Sequence, residues 1–307
     1  MSNFAFNNPA FKEPDPRNVA TYPGAPGATQ GAQTASMSHA TMDAAVNAQL
    51  DGMYAAPPAG ALETGRMTVE DTVWKTAGLF GILLVTAAVG WFLTLGGIAA
   101  PVPDPYNRPS VNLLPWVVGG LGGFVLAMVV TFTSRKKVRP ALIFAYAAFE
   151  GLFVGGISAY FEVLWPGIVM QATVATVAVV GVTLALFASG KIRASKRATK
   201  IFMVAMFGYL AFSVLNLILM LTGVVKDGFG MHSAPGPFGI PWGLIIGVLV
   251  VLMAAYSLVL DFDQIQQGVR NGAPRVYGWL GGFGIMVTVV WLYVEILRII
   301  AIARGNN

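Results

Sequence analysis

The sequence predicts an all-α membrane protein with seven transmembrane helices. Three observations carry that reading. The 307-residue chain is 56% hydrophobic and only 11% charged, whereas a soluble domain carries about 25% charged residues. Beyond Thr68 it holds seven long apolar runs, each meeting the requirement of about 20 residues to cross a bilayer at 1.5 Å rise per residue. The connections between those runs alternate between strongly basic and nearly neutral, which is the charge pattern of alternating membrane sides. Unbroken runs of this length are not the alternating segments of a barrel, and in lipid the remaining way to satisfy the backbone is the helix.

Residues 1–67 are read as a disordered cytoplasmic tail, rich in Ala, Pro, Gly, Gln, Asn, Ser and Thr and poor in large apolar residues. Within it, Ser38 to Ala55 carries a weak stripe of Met42, Ala45, Val46, Leu50 and Met53 that fits a short helix. No basic n-region followed by a short apolar core opens the chain, so no cleavable signal peptide is expected. Residues 68–307 form the membrane domain. Its expected spans are about 76–99, 112–133, 140–161, 164–188, 201–224, 240–260 and 277–302.

Arg135, Lys136, Lys137 and Arg139 fill the connection between the second and third spans. Lys191, Arg193, Lys196, Arg197 and Lys200 fill that between the fourth and fifth, and Arg270 and Arg275 that between the sixth and seventh. The opposite connections hold only Arg108 and Lys226. Positive charge stays in the cytoplasm, so the basic loops and the N-terminal tail are placed there and the C-terminus on the other side, with Arg298 and Arg304 opposing that last step. Four pairs of glycines recur at four-residue spacing: Gly119 and Gly123, Gly151 and Gly155, Gly243 and Gly247, Gly278 and Gly282. Each pair shares a helix face and permits close backbone approach.

Composition also excludes chemistry. There are no cysteines, so disulfides, thiolate nucleophiles and thiolate metal sites are absent. His39 and His232 lie in polar segments and are read as solvated, since zinc needs three or four converging ligands. No phosphate-binding glycine loop and no HExxH motif occurs. The expectation is a protein that is not an enzyme, has no cofactor or resident metal and does not bind nucleic acid, its net charge of +5 being used for orientation.

The informative residues are carboxylates that the bilayer should reject, each costing about 2.5 kcal/mol or more at its centre. Glu150 lies near the middle of the third span among Gly151, Gly155 and Gly156, where a proton or cation site in a polar pathway competes with a structural carboxyl bonded to a neighbouring helix. Asp261 and Asp263 follow the sixth span at its cytoplasmic end. Asp261 abuts the apolar run and is the stronger functional candidate; Asp263 reads as an ordinary interfacial acid. Glu295 lies about 18 residues into the last span, and Arg298, three residues on, can share its face as an ion-pair or latch partner.

Phe149-Glu150-Gly151-Leu152 with Gly155, the basic loop after the fourth span, Leu260-Asp261-Phe262-Asp263-Gln264-Ile265 and Leu292-Tyr293-Val294-Glu295 together resemble the Bax inhibitor family, the transmembrane Bax inhibitor motif proteins, in a bacterial branch. The resemblance covers roughly Thr68 to Arg304. It implies a seven-helix fold with a central last helix and a pH-sensitive calcium leak across the cell membrane. In the family, two aspartates from the sixth and seventh helices form a proton-sensing pair. Asp261 matches the first. Aligning the Leu-Tyr-x-acid motif makes Glu295 the second, whereas aligning the span by its ends places Thr288 there. Glu295 lies about 27 Å along a straight helix from the cytoplasmic side, so it meets Asp261 only if the last helix starts late or breaks around Gly281, Gly282 and Gly284. The family also implies an alternative function: a non-conducting regulator that binds another membrane protein, such as a quality-control protease.

Overall fold

The computed structural model describes residues 65–97 and 111–305. The expected cytoplasmic tail up to residue 64, its short helix over Ser38 to Ala55, and His39 and Arg108 lie outside them. Seven helices are long and apolar enough to cross a membrane: α1 Val69–Leu95, α2 Leu114–Thr133, α3 Pro140–Leu164, α4 Ile168–Ala188, α5 Lys196–Leu221, α6 Trp242–Arg270 and α7 Tyr277–Gly305. Between α5 and α6 the chain makes two short 3₁₀ turns, Gly230–Ser233 and Pro237–Gly239. The chain is therefore a multi-pass membrane protein whose outer surface meets lipid.

Local sequence explains the helix ends. The Thr68 side chain caps α1 by accepting from the Asp71 amide at 3.0 Å, with Glu70 and Asp71 in the positive first turn. The helix stops at Gly96, whose φ of 69° lets its N–H turn back to the Phe92 carbonyl. Pro140 opens α3, where a missing N–H costs nothing. At the turn into α4, Glu162 of α3 accepts from the amides of Gly167 at 2.6 Å and Val169 at 3.1 Å, placing a carboxylate on a helix N-terminus that lacks a side-chain cap of its own.

The bundle is organised around α7, which packs on α1, α3, α4 and α6. Leu280, Phe283 and Met286 join Leu79, Leu83, Ile143 and Ala147 in one half of the core. Leu292, Ile296 and Leu297 join Ile157, Ile168, Ala254 and Leu258 in the other. By contrast α5 buries only Phe202 and Asn216 and turns Ile201, Val204, Phe207 and Val214 outward. Such an apolar exterior is tolerable only in lipid.

All four glycine pairs sit at helix contacts. A Cβ on Gly151 would lie 2.3 Å from the Leu83 carbonyl oxygen and one on Gly155 2.0 Å from that of Ala87, so α3 meets α1 backbone to backbone. A Cβ on Gly119 would lie 2.3 Å from the Phe153 amide nitrogen, joining α2 to α3. Gly243 and Gly247 receive Ile302 and Ile299 of α7, and Gly278 and Gly282 receive Lys75 and Thr76 of α1.

The start of α1 is tied to the α6–α7 loop. The Met67 amide donates to the Ala273 carbonyl and the Arg275 amide to that of Gly65, both at 2.8 Å. Asp71 accepts from Arg275 Nε at 2.9 Å and Nη2 at 2.8 Å and pairs with Lys75, whose Nζ also donates to the Arg275 carbonyl at 2.7 Å. Asp71→Asn removes the negative charge shared by two cations and turns the oxygen facing Lys75 into an N–H donor. Thermal unfolding in detergent should show a loss on the order of 1–3 kcal/mol.

Candidate functional site

The helix α6 does not end at Leu260. It continues to Arg270, because Asp261, Ile265 and Gly268, spaced as one helical stripe, stay buried against the bundle. Asp261, expected just after the span and against its apolar run, therefore lies within the helix and is 1% exposed. Nine residues separate it from Arg270, or about 14 Å of helix. Its Oδ2 accepts from the Thr288 hydroxyl of α7 at 2.7 Å. Asp263 lies on another side of the helix and accepts from Gln267 Nε2 at 2.9 Å.

Of the two positions considered opposite Asp261, the structure brings Thr288 to it. The helix α7 is continuous from Tyr277 and does not break at Gly281, Gly282 or Gly284. Glu295 is thus two turns beyond Thr288, about 10 Å further along. There it forms its own cluster: it is 4% exposed, pairs with Arg298, and accepts from the Tyr209 hydroxyl of α5 at 3.2 Å. Arg298 Nη1 reaches His232 Nε2 at 2.6 Å. The expected Glu295–Arg298 pair is present, its carboxylate buried and its guanidinium half-buried.

Glu150 faces α2. A Cβ on Gly123 would lie 2.7 Å from its Oε2, so the glycine makes the room the carboxyl occupies. Tyr146, one turn earlier, is its hydrogen-bond partner, and the Tyr146 ring packs edge-on against Phe283 of α7 at 4.9 Å. Glu150 and Asp261 do not touch.

Between the Asp261 and Glu295 clusters lies a cavity of about 380 Å³. It is bounded by Ala127, Met128 and Thr131 of α2, Tyr209, Leu210 and Ser213 of α5, Ser257 of α6, and Phe283, Thr288 and Trp291 of α7. Met128 and Leu210 are exposed, whereas Phe283, Ser257 and Thr288 are buried, so the space runs from the lipid-facing surface to the core. Thr288 lines it and donates to Asp261; Tyr209 lines it and donates to Glu295. Glu150 is not part of the wall, but the Gly123 it abuts is one turn before Ala127, which is. At ~30 Å³ per molecule the volume would hold roughly a dozen waters, and five hydroxyls line it. Most of its exposed wall is apolar, so these hydroxyls are the polar groups it offers to a cation or a proton. Among the described residues no three His, Asp or Glu side chains gather as a metal-holding group.

Several of these residues are invisible to a search for charge. Tyr209 and Asn216 stand in a span with no charged residue, and their signal was polarity inside an apolar run. His232, read as solvated, is 3% exposed. The Gly-rich segment carrying it folds back on the bundle, and local composition does not specify that return.

A seven-helix membrane bundle with carboxylates held in its core and a cavity between them is the class of protein this architecture defines. A family model described as Bax inhibitor 1 like matches residues 8–305, and the chain belongs to that family. A search of curated proteins finds no match. Family membership and fold together give a membrane protein with an ion-channel or regulatory role.

Proposed function

We propose that the protein is a pH-sensitive cation leak, with calcium as the transported ion, in the cell membrane, with its basic loops and N-terminus in the cytoplasm. The observation that carries this reading is the cavity wall formed by Thr288, because its hydroxyl is bonded to the buried Asp261. A proton arriving at that carboxylate changes the charge at the inner edge of the cavity and takes the charge assistance from the hydrogen bond across the α6–α7 contact. Asp261 is then the gate and Glu150 a carboxylate that attracts the cation from the α2–α3 side. Glu295 is held by its own cation, Arg298, and is a structural and electrostatic boundary of the path rather than a free binding group. Asp263, engaged with Gln267 outside the cavity, has no part in it. Nothing in this reading requires an enzyme activity or a cofactor.

The test is calcium entry into liposomes holding the purified chain and a trapped indicator. A unit charge 4 Å away at an effective dielectric constant of 20 is worth about 4 kcal/mol, and even a third of that is about tenfold in an equilibrium. Glu150→Gln should therefore lower flux on the order of tenfold. Unchanged flux in both Glu150→Gln and Asp261→Asn would remove the residue assignment. A wild type that passes no calcium at any pH would favour the non-conducting regulator, which binds another membrane protein. Deleting residues 1–65 distinguishes the two further, because a leak through the helices survives it and a tail-mediated interaction does not.

A further inference from the structure

The segment between α5 and α6 lies across the end of the bundle opposite the basic loops, and its contact with α7 runs through one histidine. Asn216 of α5 holds the first 3₁₀ turn: its Oδ1 accepts from the Met231 amide at 2.7 Å and its Nδ2 donates to the Phe229 carbonyl at 3.4 Å. Gly230 has a φ of 62°, and a Cβ there would sit 2.2 Å from Asn216 Oδ1, so only glycine fits. The Phe229 ring lies against Phe161 of α3 and Trp165 just after it. The His232 ring meets Phe212 edge-on at 5.0 Å, and its backbone carbonyl would be 2.7 Å from a Cβ on Gly243 of α6. The ring's last contact is Arg298 of α7.

That contact fixes the protonation state. A guanidinium only donates, so His232 Nε2, 2.6 Å from Arg298 Nη1, must accept. The proton of the neutral ring is then on Nδ1, which lies 3.2 Å from the Phe229 carbonyl and donates to it; Asn216 Nδ2, 3.3 Å from the same Nδ1, directs its own N–H to that carbonyl. A second proton on Nε2 would face an N–H of a permanent cation, with no acceptor between them.

We propose that His232 is a proton-released latch that holds the segment 222–241 against α7 while its ring is neutral and lets go of Arg298 when the ring becomes an imidazolium. The groups facing it are few. From α7 come Arg298 and, through it, Glu295; from α5 comes Tyr209, which is bonded to Glu295. At the contact with the ring, α6 presents Gly243. Glu162 of α3 is engaged by the amides of Gly167 and Val169, and Arg304 donates to the Pro166 carbonyl. Lys226 and Asp227 of the segment itself are exposed.

Burial, and then the Arg298 charge, push the His232 pKa down from the usual 6.5 to about 4. A group whose pKa is lowered in the closed state stabilises that state fully above its ordinary value and loses the advantage as pH falls. The closed form is therefore favoured above about pH 6.5 and weakens between 6.5 and 4, by up to about 300-fold in the open-to-closed ratio. The latch operates whether or not the protein conducts ions.

The absence of cysteine makes the test clean. A nitroxide on Lys226→Cys, in the full chain in lipid, should gain a more mobile component as pH falls from 6.5 to 4. His232→Gln keeps a neutral acceptor toward Arg298 at every pH and should keep its pH 7 spectrum throughout. A mobile component that appears equally in His232→Gln, or that never appears with His232 present, overturns the latch. If the Gln variant does not fold, the native ring answers by itself in ¹⁵N-histidine NMR, with His39→Gln assigning the signal. The latch requires the Nδ1–H tautomer and a depressed titration. An Nε2–H tautomer or an ordinary titration near 6.5 contradicts it.

Discussion

Gly155→Val is expected to separate α3 from α1 and to leave little folded protein in detergent. The Cβ alone would lie 2.0 Å from the Ala87 carbonyl oxygen and 2.7 Å from its carbonyl carbon, and these are backbone atoms that no rotamer change can move. Overpacking a closed interface costs about 1–3 kcal/mol and occasionally more. A clash with rigid helix backbone belongs at or above the upper end. The helices must part along their length, and Gly151, one turn away, loses its fit against Leu83 and Thr86. Gly208→Ala is the matched control, since a Cβ on Gly208 meets nothing within 4 Å. It should leave the melting temperature in place, and a comparable loss in both would refute the backbone-contact account.

Arg298→Met is expected to be the most damaging single change among the polar residues, at about 3–5 kcal/mol. It removes the only cation paired with Glu295 among the described ion pairs and the donor to His232 Nε2, leaving a 4% exposed carboxylate with Tyr209. The expense comes from the stranded charge more than from the pair itself. The double variant Arg298→Met, Glu295→Met should therefore recover most of the lost stability. Melting of the three variants in one detergent checks this. A double variant no more stable than Arg298→Met alone would mean that packing around the arginine, and not its charge, is what matters.

The sequence carries the fold well and the site partly, for physical reasons visible in particular residues. Hydrocarbon demands long uncharged runs, so all seven helices are legible from composition. The glycine pairs are legible because small residues are what allow helices to approach in lipid. The end of α6 is not legible, because Asp261 looks like a boundary; a carboxylate bonded to a hydroxyl on the next helix can stay inside. The choice between Glu295 and Thr288 depends on the register of two antiparallel helices, and residue type alone does not set register. Counting along α7 from an unbroken start does select Thr288, so depth is a better guide here than motif similarity. His232 was least legible, since its burial depends on where a loop returns.

The central claim is that a proton at Asp261 controls cation passage beside Thr288. Asp261→Asn holds that position permanently in its uncharged form with nearly the same shape. In liposomes containing the purified chain, wild-type calcium flux should change with pH. The Asn variant should run at the wild type's acid-side rate across the whole range, its pH response flattened. Wild-type and Asp261→Asn profiles that rise and fall together would contradict the account.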